Sequence, residues 1–304
     1  MASNRQQQSP NDNSPLLAEY GGQRRPPRRS RNCCSLAGVA CCIVILVVAA
    51  IIGVVAYYYF SRHSVNGAGE SVKVYKNVTE FSSLRVDRAQ VSVSNEPFDG
   101  ALTMEIDKNW KDYVETSVDA DELNVGFKQN FVGSCWFWRT CVFKVRLRVP
   151  TLCDAVMHGG SSISLNSGAA FQCEHADIEA HGGSTVNYEA DASRAAKFVA
   201  SGGSTLNLNI RAPIATLLAS GGSSVTAKGS GNSVVITAAG GSTVESTRLP
   251  VGRATVHGTG GSIIDVTATE SIAGILTGGS VLTYGGDPSK VDVITSGGGK
   301  AKRR

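Results

Sequence analysis

The chain has 304 residues, long enough for one large domain or two small ones. It is 42% hydrophobic and 18% charged, and five of its arginines crowd into one stretch, "QRRPPRRSR" (Gln23 to Arg31), within a formal net charge of only +4. Outside that stretch the chain is close to neutral, which excludes a main domain built to hold nucleic acid.

Residues 1–34 are polar and Pro-rich and read as a disordered tail. The tail carries "DNSPLL", in which Asp12 is followed by Leu16 and Leu17. That pattern resembles the sorting signal read by clathrin adaptors, with the acid on a basic patch and the leucines in an apolar pocket. From Asn32 to Ser61 no residue is charged, and residues 35–60 are long enough to cross a bilayer as a helix. Tyr57 to Phe60 end the stretch as an interfacial aromatic belt does. The stretch is too long, and begins too late, for a cleaved signal peptide. The arginines precede it, so the positive-inside rule leaves residues 1–34 in the cytosol and 61–304 outside or in a lumen. This is a single-pass type II signal-anchor topology, at the cell surface or in an endolysosomal or vacuolar membrane. Cys33 and Cys34, at the cytosolic end, are palmitoylation candidates.

Residues 61–71 read as a linker. Asn77-Val78-Thr79 is an N-glycosylation sequon on the expected outer side. Residues 72–150 alternate apolar and polar without a fixed period, as strands that start and cap a solenoid. Four outer cysteines, Cys135, Cys141, Cys153 and Cys173, suit two disulfides in an oxidising compartment. Cys135 and Cys141 bracket a short loop, and Cys153 with Cys173 follows by elimination. Four cysteines allow three connectivities, and the spacings match no zinc motif. The loop "CWFWRTC" presents Trp136, Phe137, Trp138 and Arg139, either as a recognition surface for a sugar, protein or membrane or as a cover for the end of the fold.

From Gly159 a Gly-Gly pair recurs: Gly159 and Gly160, Gly182 and Gly183, Gly202 and Gly203, Gly221 and Gly222, Gly240 and Gly241, Gly260 and Gly261, Gly278 and Gly279, then a degenerate "GGG" at Gly297. The steps are 23, 20, 19, 19, 20, 18 and 19 residues, the signature of a solenoid. Two residues after each first glycine from Gly159 to Gly278 stands Ser, and four after it an apolar residue, from Ile163 to Leu282. Another apolar row, from Ile178 to Val293, lies four before the glycines, broken at Gly274. The period-two alternation predicts strands, two per coil, separated by turn-like "RAPIA", "KGSGN" and "RLPVG". The predicted fold is all-β: a parallel β-helix over residues 151–296 with coils of about 19–20 residues, a Gly-Gly corner on each, and a ladder of serines beside it. Residues 297–304 read as a basic tail; "KAKRR" imitates a retrieval signal that works only in the cytosol.

The succession "FSSLRVDRAQVSVSN", "VETSVDADELNVGF", "KVRLRVPTLCDAVMHGGSSISL" and glycine-rich coils resembles the GIN domain family, the head domain of auto-transporter adhesins. The resemblance covers about Val72 to Thr295. It implies a β-helical domain that is secreted or envelope-associated and adhesive. The tail, the anchor, the four outer cysteines and the "CWFWRTC" insertion depart from the family's usual pattern.

No catalytic set and no cofactor site stand out. Asp87, Asp99, Asp107 and Asp119 are scattered, and Asp177, Glu179 and Glu189 are the carboxylates placed for polysaccharide cleavage on a β-helix. His158 and His181 precede Gly-Gly on consecutive coils, where stacked imidazoles suit a metal or a pH response, but Ser, Ala and Thr fill the same row elsewhere. The expectation is a membrane-anchored, non-enzymatic β-helical ectodomain that is adhesive or binds a glycan or protein. A carbohydrate-active enzyme is the alternative. So is a scaffold that self-associates end to end through the C-terminal coil, near Leu282 and Val293.

Overall fold

The computed structural model describes residues 45–55, 64–134, 142–165 and 170–304. The chain divides into two units after Phe60. In the first, residues 45–55 are helical with exposed apolar side chains. Among the described residues no helix is long and apolar enough to cross a membrane. The rest of the expected span of 35–60 lies outside them, as do Asp12, Leu16, Leu17, Cys33 and Cys34.

The second unit is a β-solenoid of about seven turns. Thr205–Ala219 shows how one coil is made. Leu206, Leu208, Ile210 and Ala212 point inward, the alternation slips at Pro213 and Ile214, and Ala215, Leu217 and Ala219 point inward again. The slip is a bend that folds one strand around the core. It does not interrupt the ladder, because the hydrogen-bond partner of each residue lies on the next coil. Thr205 to Ala212 and Ile214 to Ala219 pair in parallel with Ser224 to Gly231 and Ser233 to Ala238. The expected turn segments are therefore corrected: "RAPIA", "KGSGN" and "RLPVG" lie inside continuous strands. Pro213, which has no N–H to give, falls at the bend, where it removes least.

The two apolar rows face each other across the interior. Val186, Leu206, Val225 and Val244 form one wall, and Ile178, Phe198, Leu217 and Ile236 the other, each no more than 1% exposed. The corners follow from glycine. Gly221 and Gly222 sit at φ +65° and +76°, which only glycine adopts without strain. The corner serines do not bond to one another along the row. Ser184 and Ser204 each donate to the carbonyl three residues back, on His181 and Ser201, at 2.7 Å, so each closes its own corner.

The coils begin before the first Gly-Gly pair. Ser83–Asp87 and Gln90–Ser94 pair in parallel with Asp154–His158 and Ser162–Leu165. Glu122–Phe127 and Phe143–Arg148 stack on them in turn. At the early corner Arg88 replaces glycine at φ 56°. Its guanidinium lies over Phe127 (5.1 Å) and donates to the Phe131 carbonyl (3.0 Å), which holds the strained turn. Three antiparallel strands, Ser71–Asn77, Ala101–Asp107 and Val114–Asp119, flank these coils.

Parts of the expected linker and of the expected basic tail belong to the fold. Within the predicted linker, Val65–Asn66 pairs with Gly133–Ser134, and the buried Asp107 carboxylate accepts from the amides of Ala68 and Gly69, both at 2.9 Å. Within the predicted basic tail, Gly297 and Gly298 make another corner and Lys300–Arg303 pairs with Val281–Tyr284. Both segments offered strand or turn donors to an adjacent edge that would otherwise be left unpaired.

Candidate functional site

In a strand every second side chain leaves the core, and stacking aligns those side chains from coil to coil. On the wall that follows each corner, Ser164, Asn187, Asn207, Thr226 and Glu245 occupy one register position. The row continues toward the N-terminal end through Ser92, Arg146, Thr103 and Tyr75, and toward the C-terminal end through Asp265 and Thr283. One polar row thus crosses the molecule. Side-chain bonds order this row and the one beside it: Asn207 Nδ2 donates to Asn187 Oδ1 at 2.9 Å, and in the neighbouring row Asn209 Nδ2 donates to Glu189 Oε1 at 2.5 Å.

Two grooves lie along this face. One, of about 450 Å³, is bordered by Asn187, Glu189, Asn207, Asn209, Lys228 and Arg248. The other, of about 490 Å³, includes Lys73, Tyr75, Glu105, Lys144, Arg146 and Arg148. Tyr75 is 69% exposed, an aromatic ring presented to solvent from an antiparallel strand. Asn77, the sequon residue, lies two positions along the same strand, also exposed, and so leaves the sheet on Tyr75's side.

Of the carboxylates expected for glycan cleavage, two meet and the third stands apart. Asp177 and Glu179 lie on the wall before the corner, and Glu189 on the wall after it. Lys197 Nζ bridges the first two, at 3.0 Å from Asp177 Oδ2 and 2.9 Å from Glu179 Oε1. That hydrogen bond holds the Glu179 carboxyl below its usual range, against some burial. Burial first, and then the Asp177 charge, raises Asp154 nearby. A glycosidase needs one acid kept protonated opposite a free carboxylate across the scissile bond. Here the two carboxylates of this wall share a lysine.

The His158 and His181 rings stack at 5.1 Å. His181 Nδ1 lies 2.6 Å from Ser201 Oγ, and its Nε2 lies 3.4 Å from Glu179 Oε2. Among the described residues no group of three or more His, Cys, Asp or Glu side chains could hold a metal ion. Cys153 and Cys173 form a disulfide that joins consecutive coils. Cys135, Trp136, Phe137, Trp138, Arg139 and Cys141 lie outside the described residues. Among the described residues Trp110 packs beside the first coils: its indole N–H donates to the Val65 carbonyl at 3.0 Å, and its ring meets Phe127 and Phe131 edge-on.

A family profile described as "Putative auto-transporter adhesin, head GIN domain" matches residues 75–288. The chain belongs to the GIN-domain family. That description names an adhesin head rather than an enzyme. The GIN domain is similar in fold to a solved "putative adhesin" from Parabacteroides distasonis ATCC 8503, with TM-score 0.69 and 20% identity over 79% of this chain and 100% of the other. A "putative adhesin" from Parabacteroides merdae ATCC 43184 gives TM-score 0.69 and 14% identity over 80% and 99%. A "putative lipid binding protein" from Parabacteroides distasonis ATCC 8503 gives 0.65 and 17% over 79% and 99%. Comparison with curated proteins returns no match.

Proposed function

We propose that the chain is a membrane-anchored adhesin-like protein whose GIN domain holds a glycan on the polar face that follows the Gly-Gly corners. The observation that carries this is the in-register polar row, mostly hydroxyl and amide side chains, running past two grooves, with Tyr75 exposed at one end. Amides and hydroxyls match sugar hydroxyls as donors and acceptors, and an exposed ring offers a face to sugar C–H groups. The family description and the lysine that Asp177 and Glu179 share favour binding over cleavage. The charge-free stretch of 35–60 is the anchor, residues 61–304 lie outside or in a lumen, and Leu16 and Leu17 engage a clathrin adaptor.

The test of binding is a glycan array probed with the purified full chain. Tyr75→Ala and Asn207→Ala should each lower the signal without lowering the melting temperature. Retention of every wild-type signal in both variants would remove the face from the proposal. The test of topology is protease access to a C-terminal tag in intact and permeabilised cells. A tag that is cut from the cytosolic side reverses the assigned orientation. In the proposed orientation Asn77→Gln removes a glycosidase-sensitive mobility shift.

A further inference from the structure

In the coils between Phe171 and Leu276 the outward-facing cations follow a rule. Arg194, Lys197, Arg211 and Arg253 each meet a carboxylate of an adjacent coil: Glu174, Asp177, Asp191 and Glu270, at 2.6–3.3 Å. Lys228 and Arg248 break the rule. They occupy the same register position on adjacent coils, so one cation is stacked on another. Like charges directly opposed across a ladder are destabilising, and an opposite-charge pair is the arrangement that stabilises. Both side chains are exposed and neither makes an ion pair among the described residues. Glu189, the acid bordering the same groove, is engaged by the Asn209 amide instead.

We propose that this groove is a subsite for an acidic glycan, with one carboxylate or sulfate held between Lys228 and Arg248. The inference rests on the glycan reading above and adds the class of sugar. A single anion between the two side chains turns the like-charge contact into two charge-assisted pairs, the stronger kind of hydrogen bond. Asn187 and Asn207 lie on the two preceding coils, one sheet row away, and offer amides to the hydroxyls of the same sugar chain. The open groove and the aligned row suit an extended chain laid across the coils. They are a poor match to a compact ligand, which a closed cavity would bury.

The experiment uses the purified full chain and three immobilised probes: an oligogalacturonate bearing carboxylates, a heparin-derived oligosaccharide bearing sulfates, and a neutral cello-oligosaccharide. The Arg-rich tail is a second source of affinity for polyanions, so the variants are compared with that tail intact. Lys228→Glu with Arg248→Glu should weaken binding to the acidic probe by about tenfold or more. Lys111→Glu with Lys290→Glu, the same charge change away from the groove, should leave it within about twofold. Lys228→Gln with Arg248→Gln should show a smaller loss and unchanged melting, which guards against misfolding. Preference for oligogalacturonate assigns a carboxylate, and preference for heparin a sulfate. Equal losses in the two reversal variants would overturn the subsite, since any cation then serves. Binding of the neutral probe alone, unchanged in the Lys228/Arg248 variants, would overturn the subsite and leave the glycan reading standing. No binding to any probe would sink both.

Discussion

The two glycines of one corner should not be equivalent, and the difference can be worked from their surroundings. Gly221 is at φ +65°, and a Cβ there would stand 3.3 Å from Gly202 N and 3.6 Å from its Cα. Gly222 is at φ +76°, and a Cβ there would meet nothing within 4 Å. The left-handed conformation costs a non-glycine residue about 1–2 kcal/mol at either position. At Gly221 the contact is with backbone of the coil below, which cannot rotate away, and overpacking of this kind adds about 1–3 kcal/mol. Gly222→Ala should therefore cost about 1–2 kcal/mol and Gly221→Ala about 2–5 kcal/mol. For a domain of this size that lowers Tm by roughly 2–8 °C and roughly 4–20 °C respectively. Gly222→Asn should be milder than Gly222→Ala, because Asn visits the left-handed region more readily. Thermal unfolding of the full chain by far-UV circular dichroism measures all three. Equal losses at the two positions would refute the close approach of coils as the reason for the first glycine. An Asn variant worse than the Ala variant would refute the backbone argument for the second.

Other perturbations test separate parts of the fold. The Cys153–Cys173 disulfide closes a loop of sequence separation 20; replacing both with Ser should cost roughly 3 kcal/mol, read as a Tm loss matched by adding reductant to the parent. Asp107→Ala strands the amides of Ala68, Gly69 and Asn109, all bonded to that buried carboxylate. It should cost about 2–3 kcal/mol and raise hydrogen exchange at those amides before global unfolding. Burial, the stacked His181 and Arg85 hold the His158 imidazole below its ordinary value of 6.5. The unfolded chain thus takes up this proton first as pH falls, so the contribution is intact above that value and is lost as pH drops through it toward the lowered one. Tm measured from about pH 7.5 to about pH 5 should fall, and His158→Gln should flatten that slope. Glu179 and Asp191, held below their ordinary values chiefly by bonds from Lys197 and Arg211, lose their contributions only at more acid pH. An unchanged slope in the His158 variant would assign the loss to other groups.

What the sequence disclosed and what it concealed have physical reasons. A corner repeated on every coil puts the same demand on the same residue, so the glycines and the buried serines stand out at a near-constant period. The inward rows are visible for the same reason: Val186, Leu206 and Val225 fill one wall of one core. The strands of the earlier coil were legible as the start of the solenoid, but its period was not, because its corner solves the problem differently. Arg88 accepts a left-handed backbone there and is held by Phe127 and Phe131, so no Gly-Gly marks it. The strands are longer than their composition suggests, because turn-like residues do not end them. In a solenoid the ladder runs between coils, and a bend at Pro213 leaves most of it intact. Outward residues answer to no packing demand, so the polar face carried only a faint signal, Asn187 and Asn207 twenty residues apart. Lys228 and Arg248 were better concealed. The register shifts between Thr226 and Lys228, so alignment on the glycines sets Lys228 against Thr247 and misses the stacked pair.

Among the described residues the first and last coils are flanked differently, and a coil edge left unpaired exposes both core and ladder. The N-terminal coils have antiparallel strands and an aromatic cluster around Trp110 beside them. The C-terminal coil ends in strands, with Val291 and Ile294 exposed and Leu282 buried beneath. An open edge of this kind invites pairing with another chain. Its final strand, however, is Lys300–Arg303, "KAKR", and a two-fold contact there would bring Lys300, Lys302 and Arg303 of two copies together. Lysines on an edge are a means of discouraging such pairing, and the repulsion is screened by salt. Self-association of the full chain should therefore be weak at low ionic strength and rise with salt. Lys300→Thr with Lys302→Thr, which keeps strand propensity and removes two charges from the edge, should raise it at any salt concentration. Sedimentation velocity across a salt series reads both effects. A parent chain that associates at low salt as strongly as the variant would mean that the basic edge does not guard the solenoid's end, and that the coils stack there despite it.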